Sequence, residues 1–183
     1  PGEKPVIGVI DLGSGLAPAL TSVTPSAWRA AFEASALAKQ HGLAVKTLAS
    51  YEEIATALAA GPSKYFAIIN PYGEIFPTAG AGRWRETLDA VRSYVNHGGS
   101  WWETAAYSFF RPAFSADGTW KTENCGPAGI SALRLPIGGG EVDAPAEPLH
   151  ATDTGKTWLG DAFATRIEQC ASVVNRGTPS TDS

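Results

Sequence analysis

The chain has no methionine, only two cysteines and three histidines, and 17% charged residues over 183 positions. Each shortage removes a class of chemistry. Three histidines, two of them (His41 and His97) closing helix-like stretches, leave His150 alone, so a Ser-His-Asp triad or a histidine-rich metal centre has too few parts. Cys125 and Cys170 sit in no CxxC pair and near no histidine, which argues against structural zinc. They remain as two thiols or one disulfide. A bridge would stabilise by about 3–4 kcal/mol on chain-entropy grounds and would imply an extracytoplasmic setting. No apolar run approaches the roughly 20 residues of a membrane span. A net charge of −4 supplies no basic face for nucleic acid or an anionic membrane.

What is present is a globular composition, 44% hydrophobic. One domain over 5–174 accounts for it. The flanks PGEKP and NRGTPSTDS are small, polar and proline-containing, so 1–4 and 175–183 are expected to be linker-like ends. With Pro1 first and no methionine, the expectation is a module excised from a longer, secreted protein.

The pattern alternates strand and helix. PVIGVIDLG (5–13) is an apolar run ending in glycine, as a buried parallel strand does. Thr24-Pro25 opens a helix expected to run through Gln40, with Trp28, Ala31, Phe32 and Ser35 on one face. LAVKTLAS (43–50) is a second strand, and Ser50 with Glu53 forms a capping box for a helix ending near Gly61. YFAIINPYG (65–73) is a third strand, stopped at Asn70-Pro71. A helix over about 83–97 carries Trp84, Leu88, Val91 and Val95 as a stripe and closes on His97-Gly98-Gly99. SWWETA (100–105) is a fourth strand. Beyond Tyr107, residues 108–129 read as loop, ISALRLPI (130–137) as a further strand, and 158–174 as a last helix. This order predicts an α/β fold with a parallel sheet covered on both faces.

In such a sheet ligands bind outside the carboxyl ends of the strands. Those ends supply Asp11 and Ser14, then Asn70, Tyr72 and Glu74, then Glu103, Thr104 and Tyr107. Asp11 reads equally well as the brace of its own DLGSG turn, and Glu74 as a loop acid. Glu103 stands among Trp101, Trp102, Ala105 and Ala106, and a carboxylate in such company needs hydrogen bonds or a cation. The aromatics are core by default, although some suit a stacking wall for a sugar. DLGSGL lacks the full GxGxxG spacing, so no nucleotide cofactor is expected.

The segments YFAIINPYGEIFP (65–77) and TLDAVRSYVNHGGSWWETAAY (87–107) resemble the class I glutamine amidotransferase-like superfamily, including ThuA-like proteins and the amino-terminal domain of certain biotin-protein ligases. The resemblance covers about 5–107. It implies a flavodoxin-like three-layer sandwich with a mainly parallel sheet. Active members carry cysteine on the elbow after the fourth strand and a later histidine, often paired with an acid. Here Ala105 or a neighbour takes the elbow, Cys125 comes some twenty residues too late, and His150 lacks an HxE context. No activated thiolate can be assembled from these residues.

The resulting expectation is a non-catalytic module whose strand-end crevice binds a small polar ligand such as a carbohydrate. Its other partners would be further domains of its parent chain, with a homo-oligomer left open. The alternative is a carboxylate-based hydrolase of glycosidase type, with Glu103 as acid and Glu74 or Asp11 as base or nucleophile. Carboxyl separations of about 5–5.5 Å or 6.5–9.5 Å would then mark retention or inversion. A sensor for another small molecule or peptide is a third option.

Overall fold

The structure is a computed structural model and describes residues 4–104, 107–133, 137–138, 153 and 178–179. The chain divides into two compact units, Pro1–Leu135 and Pro136–Ser183, so the single domain expected over 5–174 spans parts of both. In the second unit, Ile137–Gly138 pairs antiparallel with Thr178–Pro179. The expected helix over 158–174 lies outside the described residues.

The first unit is mixed α/β. Strand β1 (Val6–Ile10) is buried at every position, as a central strand covered on both faces must be. Around it lie β2 (Ala44–Leu48), β3 (Tyr65–Asn70) and β5 (Ser100–Glu103), all parallel, in the order β2-β1-β3-β5. Side-chain alternation sorts the core into two layers. Ile10, Leu48 and Ile68 face α3 (Tyr51–Ala60) and α4 (Trp84–Asn96), which bring Ile54, Ala57, Leu88, Val91 and Tyr94. Ile7, Val9, Ala67 and Ile69 face the other way, against Trp28 and Phe32 of α1 (Pro25–Ala34).

Local chemistry explains the ends. Thr24 caps α1 by accepting from Ala27 N–H, with Pro25 in the first turn. The single helix expected to Gln40 breaks at Ser35. Its hydroxyl donates to Phe32 O and accepts from Ala38 N–H, ending α1 and starting α2 (Ala36–His41). Ser50 caps α3 through Glu53 N–H, while the Glu53 carboxylate reaches back to Ala49 N–H at 2.7 Å. On α4 the buried stripe differs by one position from expectation: Tyr94 is buried, and Val95 is 38% exposed.

Residues 108–129 are not a loop. Ile75–Pro77 (β4), Arg111–Ala116 (β6) and Thr119–Thr122 (β7) form a second sheet in the order β4-β6-β7, with β4 and β6 parallel and β6 and β7 a hairpin. Nor is 130–137 one strand, because α5 (Pro127–Leu133) occupies its first half. This helix lies where the backbone carbonyl of Phe109 would collide with any side chain at Gly129.

Candidate functional site

Strands β3 and β5 place Asn70 directly opposite Glu103. Residues paired across neighbouring strands share a face, and Trp101, two positions before Glu103, shares it too. Four hydrogen bonds follow. Trp101 Nε1 donates to Glu103 Oε1 at 2.7 Å, and Asn70 Nδ2 donates to Glu103 Oε2 at 2.8 Å. Asn70 Nδ2 also donates to Ile75 O, and its Oδ1 accepts from Tyr72 N–H. Asn70 is wholly buried, so it ties the end of β3, the turn 71–74 and β5 into one unit.

Both oxygens of Glu103 are therefore engaged by neutral donors. None of the ion pairs among the described residues includes it. Burial pushes its carboxyl well above the ordinary range, against the opposing pull of the Trp101 and Asn70 hydrogen bonds. The expectation of an enclosed acid that needs hydrogen bonds is met. The donors are the protein's own.

The other two acids are also engaged, each elsewhere. Asp11 Oδ1 accepts from Gly13 N–H at 3.2 Å, an Asx turn that braces the start of the glycine-rich loop. The Glu74 side chain, 12% exposed, pairs with Arg111 at 3.4 Å, while Arg111 N–H donates to Glu74 O. That pair holds the 71–74 turn to β6. Tyr72 is buried and its hydroxyl accepts from Leu12 N–H at 2.7 Å, fastening the loop after β1 to the turn after β3. Desolvation first, with Asp11 adding, lifts its phenol to about 12 despite the Leu12 N–H.

Ser14 is exposed on its loop. Tyr107 is half-buried with its ring 5.5 Å from that of Phe110. Thr104 has a buried Oγ1 without a hydrogen-bond partner among the described residues. Ala105, where the resemblance would put the nucleophile, lies outside the described residues, as do His150 and Cys170. Cys125 carries a free thiol that donates to the carbonyls of Phe109 and Phe110, and burial raises its pKa.

Of the eight residues expected at the strand ends, the structure joins Asn70, Tyr72 and Glu103 through shared hydrogen bonds, and Asp11 lies close enough to Tyr72 to shift its phenol. Sequence reasoning missed Trp101 and Arg111 as partners. The i, i+2 spacing of Trp101 and Glu103 on one strand was a usable signal. Glu74 and Arg111, 37 positions apart, offered none. An open groove of about 350 Å³ includes none of these in its lining, which is Lys46, Thr47, Leu48, Glu52, Glu53, Thr56 and Tyr65. Among the described residues no three His, Cys, Asp or Glu side chains gather as a metal site, and no helix is long and apolar enough to cross a membrane.

No family model matches the chain, and no curated protein or solved structure does either.

Proposed function

We propose that the chain is a non-catalytic module of class I glutamine amidotransferase-like type, with a flavodoxin-like fold, serving a larger secreted protein by binding a small polar ligand such as a carbohydrate at the strand carboxyl ends. One observation carries the reading. Every candidate acid at that rim is engaged by the scaffold: Asp11 by Gly13 N–H, Glu74 by Arg111, Glu103 by Trp101 and Asn70. Hydrolysis by two carboxyls needs both free to flank one scissile bond, the acid at the leaving-group oxygen and the base or nucleophile on the opposite face of the reacting carbon. These three brace three different junctions of the chain.

The β2-β1-β3-β5 order of a wholly parallel sheet supports the flavodoxin-like assignment, since it places β1 and β3 where strand order reverses. The hydrolase alternative draws on the raised carboxyl of Glu103, which suits a general acid.

The test is a thermal melt of the full chain with mono- and oligosaccharides, paired with an assay for release of reducing ends. A ligand at 100 times its dissociation constant adds about 2.7 kcal/mol. Stabilisation by a saccharide without turnover is the expected result. Turnover that disappears in Glu103→Gln would replace this reading with the hydrolase.

A further inference from the structure

The parallel sheet ends on β2, whose outer side meets no other strand among the described residues. The ladder to β1 decides which of its backbone groups are spent. Asp11 N–H donates to Leu48 O, and Ile10 and Leu48 are partners in the register. Ala44, Lys46 and Leu48 therefore turn their N–H and C=O groups toward β1, and Val45, Thr47 and Ala49 turn theirs outward. The Ala49 N–H is already taken by the Glu53 carboxylate at 2.7 Å. Val45 and Thr47 remain, one on each side of Lys46, with their outward groups unpaired among the described residues.

The side chains add a second feature. Leu48 packs toward α3, and Lys46, two positions earlier, shares that face. The open groove of about 350 Å³ lies there, between this stretch of β2 and Glu52 and Thr56 of α3. Its apolar part is Leu48 and Tyr65, which come together over Gly8, where a Cβ would stand 2.9 Å from Leu48 and 3.4 Å from Tyr65. Lys46 is exposed, and none of the ion pairs among the described residues includes it.

Charge decides what can pair here. A second copy joined through Val45 and Thr47 about a two-fold axis would set two Lys46 side chains directly opposite each other. Like charges so placed are destabilising, and a lysine on an edge strand guards against self-pairing. A carboxylate in that place is attracted instead. We propose that β2 is a docking edge for an extended acidic peptide segment of another protein. The segment adds antiparallel, the more stable pairing, and its backbone bonds to Val45 and Thr47. Its Asp or Glu faces Lys46, and an apolar residue two positions earlier lies opposite Leu48, over the groove. The ladder stops at Ala49, because Glu53 holds the next N–H. None of the strand-end candidates lines this groove, so the docking edge stands or falls apart from the ligand-binding reading above.

The experiment titrates the isotope-labelled full chain with the blocked peptide acetyl-STLTEVTS-amide, followed by NMR of the backbone amides. Two control peptides accompany it, one with Lys in place of Glu and one N-methylated on Val, which removes a ladder donor. Saturable shifts at the Val45 and Thr47 amides are expected with the Glu peptide, with affinity at least tenfold lower for each control. Lys46→Glu, at an exposed position, should reverse the preference so that the Lys peptide binds tighter. The proposal is overturned by the absence of saturable shifts, by equal affinity for the Glu and Lys peptides, or by a preference that survives Lys46→Glu. Full affinity of the N-methylated peptide also overturns it, since binding would then not use the ladder. Shifts at Val45 and Thr47 that grow with protein concentration alone would assign the edge to a second copy and overturn it too.

Discussion

Glu103 has no cation partner among the described residues, and burial raises the pKa of its carboxyl. Trp101 and Asn70 each donate to one of its oxygens, yet burial outweighs both and raises its pKa. Between the unfolded value of about 4.3 and the raised folded value, the native state binds more protons than the unfolded chain. The stability contributed by the neutral acid is therefore whole below that window and is lost as pH rises through the folded pKa. Urea titrations from pH 4.5 to 9 should show wild-type stability falling relative to Glu103→Gln. The variant itself should sit about 1 kcal/mol lower at acid pH, because an amide cannot accept from both Asn70 and Trp101. A wild-type stability that climbs over this range relative to the variant would mean the acid is ionised throughout and the donors dominate.

Between elements, one tight constraint is where α4 turns into β5. Gly98 takes φ of +93°, and at Gly99 a Cβ would fall within the Tyr94 ring, whose hydroxyl donates to Tyr65 O at 2.6 Å. Tyr94 cannot retreat without giving up that bond and the packing around it, so Gly99→Ala should cost about 1–3 kcal/mol in chemical denaturation. A neutral Gly99→Ala would mean that the ring moves freely. The glycine pair itself was legible as a helix stop, as were β1 and β3, because central parallel strands read as unbroken apolar runs. The β6–β7 hairpin was not. Its Asp117-Gly118 turn, both residues at positive φ, is a strong hairpin signal, but Pro112 inside β6 and the polar TWKT of β7 hid the flanking strands. Ser35 falls in register with the helix face of Trp28 and Phe32, yet its hydroxyl makes it a stop and a start. The site was legible to the same depth. Topology located Asn70 and Glu103 at neighbouring strand ends, but only the β3–β5 register put them in contact.

At the scale of the molecule, both packed layers belong to the first unit. The layer under α3 and α4 runs from Ile10 to Leu133, and the layer under α1 from Ile7 to Ile69, all within Pro1–Leu135. Strand pairing among β1, β2, β3 and β5 and the Asn70–Glu103 contact lie there too. A segment of this size buries enough apolar surface to fold alone. A chain ending at Leu135 should therefore unfold in one cooperative urea transition followed by the fluorescence of Trp28, Trp84, Trp101, Trp102 and Trp120. The dependence on pH assigned to Glu103 should survive the truncation, since Trp101 and Asn70 remain. A truncated chain that loses structure gradually and binds a hydrophobic dye would show that the first unit needs the second to close its core. A cooperative fragment without the pH dependence would instead mean that the titration of another group, and not of Glu103, sets the dependence in the full chain.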